Sequence, residues 1–202
     1  MIERTLLSAG INKIAGVDEA GRGPCAGPLV IAAVILPAPT SNTWNEINDS
    51  KKLTESKREE LFNLITENCV AHCIIEISAA EIDSKGLHKC NIEGMRRAIQ
   101  GLQTSAEYVL TDGYAIPGLE QPNLAVWKGD QVSVTVGAAS ILAKVYRDRL
   151  MTELSLKFPG YGLEQHKGYI TAEHTAALKK LGVSEIHRKS FANVAELMRG
   201  KI

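Results

Sequence analysis

The stretch Lys13-Ile14-Ala15-Gly16-Val17-Asp18-Glu19-Ala20-Gly21-Arg22-Gly23-Pro24 decides the fold class. Lys13 to Asp18 reads as a short apolar strand ending in two adjacent acids, Asp18 and Glu19. Gly21, Gly23, Pro24, Gly27 and Pro28 then crowd together, and such a cluster turns a chain. A second apolar run, Leu29 to Leu36, carries no charge and stops at Pro37 and Pro39. It is far shorter than the ~20 residues that span a bilayer, so it reads as a buried strand. Strand, turn and strand predict antiparallel neighbours at the start of a sheet.

Further along, helical and strand periods alternate. Thr54 caps a helix with Leu61, Leu64 and Ile65 on one face. Cys73 to Ile77 is a strand, and Ser78-Ala79-Ala80-Glu81 has the form of a capping box opening a short helix. Ile92, Met95, Ile99 and Leu102 give a longer helix. Tyr108 to Gly113 and Leu124 to Trp127 are short strands, and the alternation Val132, Val134, Val136 extends another. Ala138 to about Lys157 is a strong helix carrying Leu142, Val145, Tyr146 and Leu150, closed before Pro159. Thr171 to Leu181 is a helix stopped by Gly182, and Ser190 begins a last one. The pattern predicts an α/β fold with a mixed sheet. Residues 1–202 form one domain, helical from about 160 onward.

Composition sets the outer bounds. The chain has 202 residues, 45% apolar and 23% charged, with formal net charge zero. That suits a single folded core and argues against a protein that coats nucleic acid by bulk attraction. Positive charge is nevertheless clustered at Lys51–Lys52, Lys57–Arg58, Lys144–Arg147–Arg149 and His187–Arg188–Lys189. Each cluster taken singly reads as a solvated face; converging on one side, they would hold a phosphate backbone. Met1-Ile2-Glu3-Arg4 lacks the long apolar stretch of a signal peptide, which predicts a cytoplasmic protein with Cys25, Cys69, Cys73 and Cys90 reduced. Cys69-Val70-Ala71-His72-Cys73 has no second Cys/His pair at finger-like spacing, so both thiols are expected to pack rather than bind metal.

The acids carry the chemistry. Asp18-Glu19, Asp112 and Asp130 each follow an apolar strand-like segment and lie beside glycine. Strand ends in an α/β sheet gather along one edge, where carboxylates repel unless a cation neutralises them. Oxygen donors without Cys or His favour magnesium or manganese over zinc. Such a cluster holds two ions about 4 Å apart for phosphodiester hydrolysis. Gly21 and Gly23 let the backbone approach a ligand closely, and Arg22 between them reads as a donor to phosphate or sugar, or as a plain turn arginine. The residues alone thus point to a metal-dependent hydrolase or transferase acting on phosphate esters.

The motif Gly16-Val17-Asp18-Glu19-Ala20-Gly21-Arg22-Gly23-Pro24 closely resembles the opening motif of ribonuclease HII. Asp49-Ser50-Lys51-Lys52-Leu53, Leu110-Thr111-Asp112-Gly113 and Val126-Trp127-Lys128-Gly129-Asp130 look like that family's D-S-K-K-L, D-G and K-G-D segments. Ala138 to Asp148 is similar to its A-A-S-I-x-A-K-V-x-R-D helix. His166-Lys167-Gly168-Tyr169 and His187-Arg188-Lys189-Ser190-Phe191 resemble H-K-G-Y and H-R-x-S-F. The motifs follow in family order from about Ile14 to Phe191. Departures occur at Cys25, at Gly86-Leu87, at Val132 and Val134, and at Ala192-Asn193-Val194; none touches an acid.

The resemblance implies a ribonuclease H-like fold, its mixed central sheet flanked by helices, with a C-terminal helical segment. It implies that Asp18, Glu19, Asp112 and Asp130 are catalytic ligands of Mn2+ or Mg2+. Gly21, Arg22, Gly23 and Tyr169 would sense the ribose 2′-hydroxyl, the group that separates RNA from DNA. Expected substrates are RNA–DNA hybrids and DNA duplexes containing ribonucleotides, cut 5′ of the ribonucleotide to give 3′-hydroxyl and 5′-phosphate ends. Lys51, Lys52, Lys144, Arg147 and the His187–Lys189 cluster are expected phosphate contacts, although Lys144 and Asp148 also suit an i, i+4 pair. His166 and His174 read as support for the fold in preference to proton shuttles. The chain's end at Ile202 predicts no added hybrid-binding domain or long partner-docking tail; the lack of an apolar run of ~20 residues predicts no membrane association, and a monomer is the default expectation. Two rivals remain at this stage: a junction resolvase of the same fold, and a non-catalytic hybrid-binding module.

Overall fold

The structure, a computed structural model, describes residues 2–47 and 53–200. The D-S-K-K motif with Lys51 and Lys52 therefore lies outside the described residues. Helix α1 (Ile2–Ser8) leads into strands β1 (Ile14–Ala20) and β2 (Leu29–Ile35). Helix α2 (Glu55–Asn68), strand β3 (Ala71–Ile77) and helices α3 (Ala79–Lys85) and α4 (Leu87–Gln100) follow. Strands β4 (Tyr108–Asp112) and β5 (Asn123–Val126) then precede helices α5 (Gly129–Val132) and α6 (Val134–Lys157). Helices α7 (Leu163–His166), α8 (Ala172–Leu181) and α9 (Ala192–Met198) make the C-terminal part.

The sheet order is β3-β2-β1-β4-β5. β1 pairs antiparallel with β2, as the turn between them predicts, and parallel with β4, which pairs parallel with β5. All seven residues of β2 are buried because helices cover both faces. Leu29, Ile31, Ala33 and Ile35 meet Met95 and Ile99 of α4 on one face. Val30, Ala32 and Val34 meet Leu61 and Ile65 of α2 and the alanine-rich start of α6 on the other. Contact with α6 is close: a Cβ on Gly16 would stand 2.1 Å from the Thr135 carbonyl.

Caps fall largely where the sequence puts them. The Thr54, Ser78 and Thr171 side chains accept the amides of Lys57, Glu81 and His174 at the starts of α2, α3 and α8. The expected strand at Val132–Val136 is instead the α5–α6 junction. Ser133 caps α6 by accepting the Val136 amide at 3.2 Å, and the Glu3 carboxylate from α1 accepts the Ser133 and Thr135 hydroxyls and the Thr135 amide. Oxygens at that end satisfy orphan N–H groups and oppose the helix dipole, so α6 begins four residues earlier than Ala138. Ser190 does not open the last helix; its amide and hydroxyl bind the Asp83 carboxylate, and α9 starts at Ala192. Cys69 packs on the α2–α6 side of the sheet and Cys73 on the α4 side, in keeping with packed thiols.

Candidate active site

Parallel pairing of β1 with β4 places the acids. Their last registered pair is Val17 with Thr111, so Asp18 and Asp112 occupy the next step along neighbouring strands. Asp112 is level with Val126 of β5. Beyond β5, Lys128 takes a left-handed conformation (φ 53°) that turns the chain back, and α5 then carries Asp130 inward to 6% exposure. A cleft of about 440 Å³ is lined by Asp18, Glu19, Asp112, Ser140 and Lys144 among others. An adjoining cleft of about 460 Å³ has Glu19, Arg22, Asp112 and Asp130 in its wall. Glu19 and Asp112 are common to both, whereas Asp18 and Asp130 stand on opposite sides.

Each acid has a defined environment. Asp18 Oδ1 accepts the Glu19 amide at 2.7 Å, and Asp112 Oδ1 accepts the Gly129 amide at 2.7 Å. Burial holds the Asp18 carboxyl well above the usual carboxylate range, reinforced by the charges of Glu19 and Asp112 and relieved in part by Ser140. Burial also raises Glu19; Arg22 opposes that rise and Asp112 adds to it. Arg22 Nη1 lies 3.4 Å from Glu19 Oε1 and donates to the Tyr114 hydroxyl at 2.7 Å. Glu19 Oε2 is buried with no hydrogen-bond partner among the described residues. Among those residues the acids do not close into a ready coordination cage. Their chemistry nevertheless fits a hard divalent cation: the donors are all carboxylate, burial and neighbouring charge destabilise the Asp18 and Glu19 anions, and one oxygen is orphaned.

The turn that carries the glycine-flanked arginine shares the first cleft with Tyr169. Gly21 has φ +98°, and a Cβ there would meet Arg147 Nε at 2.1 Å, so the position requires glycine for both conformation and space. Gly23 faces the Tyr169 ring, whose Cε1 would lie 3.3 Å from an added Cβ. Tyr169 is 49% exposed at the mouth of the first cleft. The Cys25 amide donates to the Gly168 carbonyl at 3.0 Å and fixes the two segments together.

Three expected phosphate contacts are corrected. Arg147 is 2% exposed and donates to the carbonyls of Pro28, Ala26 and Lys167. Arg188, also buried, donates to the carbonyls of Gly27 and Arg22. Both guanidiniums are consumed in holding the turn after β1, and burial lowers their pKa values to about 10 and about 9. His187 is buried as well. Exposed Lys189 remains on the surface. Lys144 lines the cleft and pairs with Asp148 at 2.7 Å, the i, i+4 arrangement the spacing allows.

Several site residues escaped the sequence reading. Ser140, within the A-A-S-I segment, hydrogen-bonds Asp18. Tyr114 lines the second cleft and was not singled out, whereas Arg58, which lines the first, belongs to one of the basic clusters already noted. Asn91, wholly buried on α4, lies under Glu19; a polar residue on an otherwise apolar helix face was the available signal. Trp127, 82% exposed beside the second cleft, gave none beyond its place before Lys128-Gly129-Asp130.

Comparison with known proteins agrees with this geometry. The sequence profile described as ribonuclease HII matches residues 15–194. The chain is 54% identical over 194 residues to a ribonuclease HII of Salinispora tropica, covering 96% of this chain and 72% of that one. The fold superposes on ribonuclease H2 of Pyrococcus horikoshii with a TM-score of 0.81 at 27% identity, over 94% of this chain and 98% of the other. It also resembles the Archaeoglobus fulgidus ribonuclease HII solved with PCNA, with a TM-score of 0.76 at 28% identity and 89% and 95% coverage. The chain belongs to the ribonuclease HII family, metal-dependent endoribonucleases acting on RNA–DNA hybrids.

Proposed function

We propose that this chain hydrolyses the phosphodiester on the 5′ side of a ribonucleotide embedded in duplex DNA, as well as the RNA strand of hybrids, leaving 3′-hydroxyl and 5′-phosphate ends. Asp18, Glu19, Asp112 and Asp130 are the residues that would hold Mn2+ or Mg2+. Such ions, when bound, supply charge neutralisation and Lewis acidity to the phosphate. Ser140 orients Asp18, and the Gly129 amide orients Asp112. Arg22, anchored by Tyr114 and Glu19, lines the same cleft as the exposed Tyr169 ring, and the two would select the ribose. Lys144, with Lys51 from the sequence, would contact phosphate. Arg147 acts indirectly, by shaping the Gly21 turn.

The observation that carries this reading is the orphaned oxygen of Glu19 between two clefts that share Asp112, the first of which also has Tyr169 in its wall. Residues 1–202 are proposed to work as one catalytic unit, a cytoplasmic monomer serving ribonucleotide removal from DNA. No described helix is long and apolar enough to cross a membrane.

The test is a labelled DNA duplex with one internal ribonucleotide, incubated with either ion and mapped for its cut. A single cut 5′ of the ribonucleotide is expected, abolished by chelation. An intact duplex under both ions would overturn the proposal and return the resolvase reading; binding without cutting would return the hybrid-binding one.

A further inference from the structure

Away from the acids, three imidazoles are packed together with none of them exposed. His174 and His187 are fully buried, and His166 stacks on His174 with ring centroids 4.4 Å apart at 20°. Hydrogen bonding fixes where each proton sits. The Ser184 amide, which can only donate, points at His187 Nδ1 at 3.1 Å, so that nitrogen is bare. Neutral His187 then carries its proton on Nε2, which lies 3.1 Å from His174 Nε2. His174 Nε2 must accept, leaving its proton on Nδ1, and Nδ1 is 2.9 Å from the carbonyl oxygen of Tyr169. In the same way the Gly168 amide donates to His166 Nδ1 at 3.2 Å, so His166 Nε2 donates to the Tyr161 carbonyl at 2.8 Å. Every donor meets an acceptor in one arrangement of protons only.

We infer that the chain Ser184–His187–His174–Tyr169 is a positioning device for ribose selection: its locked tautomers hold the Tyr169 backbone so that the ring stands over Gly23. The inference rests on the proposed role of Tyr169 and assigns His174 and His187 a purpose beyond filling the C-terminal core. A proton added to His174 would set two N–H groups against each other at 3.1 Å. Burial lowers His174, and burial with the neighbouring His174 pushes His187 down to about 4, which keeps both neutral at working pH. His174 is thereby held in the Nδ1–H form, the one side chain among the described residues that donates to the Tyr169 carbonyl, beside the Thr171 amide at 3.1 Å.

The first measurement uses the unaltered protein. Nitrogen-15 shifts of the imidazoles should show His174 protonated on Nδ1 and His187 on Nε2; a proton on His174 Nε2 overturns the inference. The second is a double-mutant cycle on the single-ribonucleotide duplex. His187→Phe keeps the ring and loses the donor, so kcat/KM should fall by up to about tenfold, the order expected for one hydrogen bond. His187→Gln, whose amide can still donate at the Nε2 position, should restore most of it. In a Tyr169→Ala background His187→Phe should add no further loss. An equal loss in both backgrounds, or no rescue by Gln, overturns the inference. If Tyr169→Ala alone costs nothing, it is the ribose-selection reading that fails, while the nitrogen-15 spectrum still judges the proton arrangement.

Discussion

Asp18 is where stability and activity pull in opposite directions. Its carboxyl is 5% exposed, and burial, Glu19 and Asp112 all favour its protonated form. A buried carboxylate with a raised pKa weakens the fold whenever it is ionised. Asp18→Asn removes that burden while keeping the shape, so its thermal midpoint without added metal should rise by a few degrees. Turnover should fall by orders of magnitude; a variant that stays active, or that melts earlier, contradicts the account. Asp18, Glu19 and Asp112 stood out because they end apolar strands near glycine, whereas Asp130 follows β5 on the short helix α5. Asn91 and Ser140 were not, since a buried polar side chain acquires its meaning only from a partner on another element. Arg147 and Arg188 misled for a related reason: basic residues in a motif suggest phosphate, yet carbonyl oxygens of a tight turn consume the same donors.

At the level of elements, the start of α6 shows how far local pattern can be overridden. Val132, Val134 and Val136 alternate as a strand would, but Ser133 and Glu3 supply oxygens to the first turn of a helix. Glu3 lies 130 residues from Ser133, so no window of sequence contains the cap. Glu3→Ala strands the Thr135 amide and two hydroxyls in a buried site and should cost about 1–3 kcal/mol. Chemical denaturation reads this, and a change within error would show that water replaces the carboxylate. Strands β1 and β2, by contrast, were readable to within a few residues because burial on both faces demands unbroken apolar runs.

For the whole molecule, the C-terminal helices are joined to the sheet by buried groups that must keep a fixed protonation state. His187 sits near 4 and His174 is also lowered, against an ordinary value of 6.5. Cys25, Tyr161 and His166 surround them, and none supplies a negative charge at neutral pH to stabilise an imidazolium. The unfolded chain binds these protons first, so the imidazoles' contribution to stability is full above pH 6.5 and is lost as pH falls toward about 4, opposite in sign to that of Asp18. Urea midpoints across that window should drop on acidification, and His187→Gln should flatten the drop; an unchanged slope would remove His187 from the cause. The α/β class and mixed sheet were legible from alternating periods. That the last forty or so residues reach back to shape the turn after β1 was not, because the clamps run from side chains to backbone, where sequence is silent.

Arg188 gives that reach a consequence in time. As the chain leaves the ribosome, every proposed metal ligand has emerged by the end of α6, but Tyr169, the imidazole relay and Arg188 come later. A nascent chain of that length owns the acids and Arg147 but lacks Arg188, the second guanidinium that holds the turn after β1. With the proposed roles of Arg22 and Tyr169, discrimination between sugars would be the last property this protein acquires as it is made.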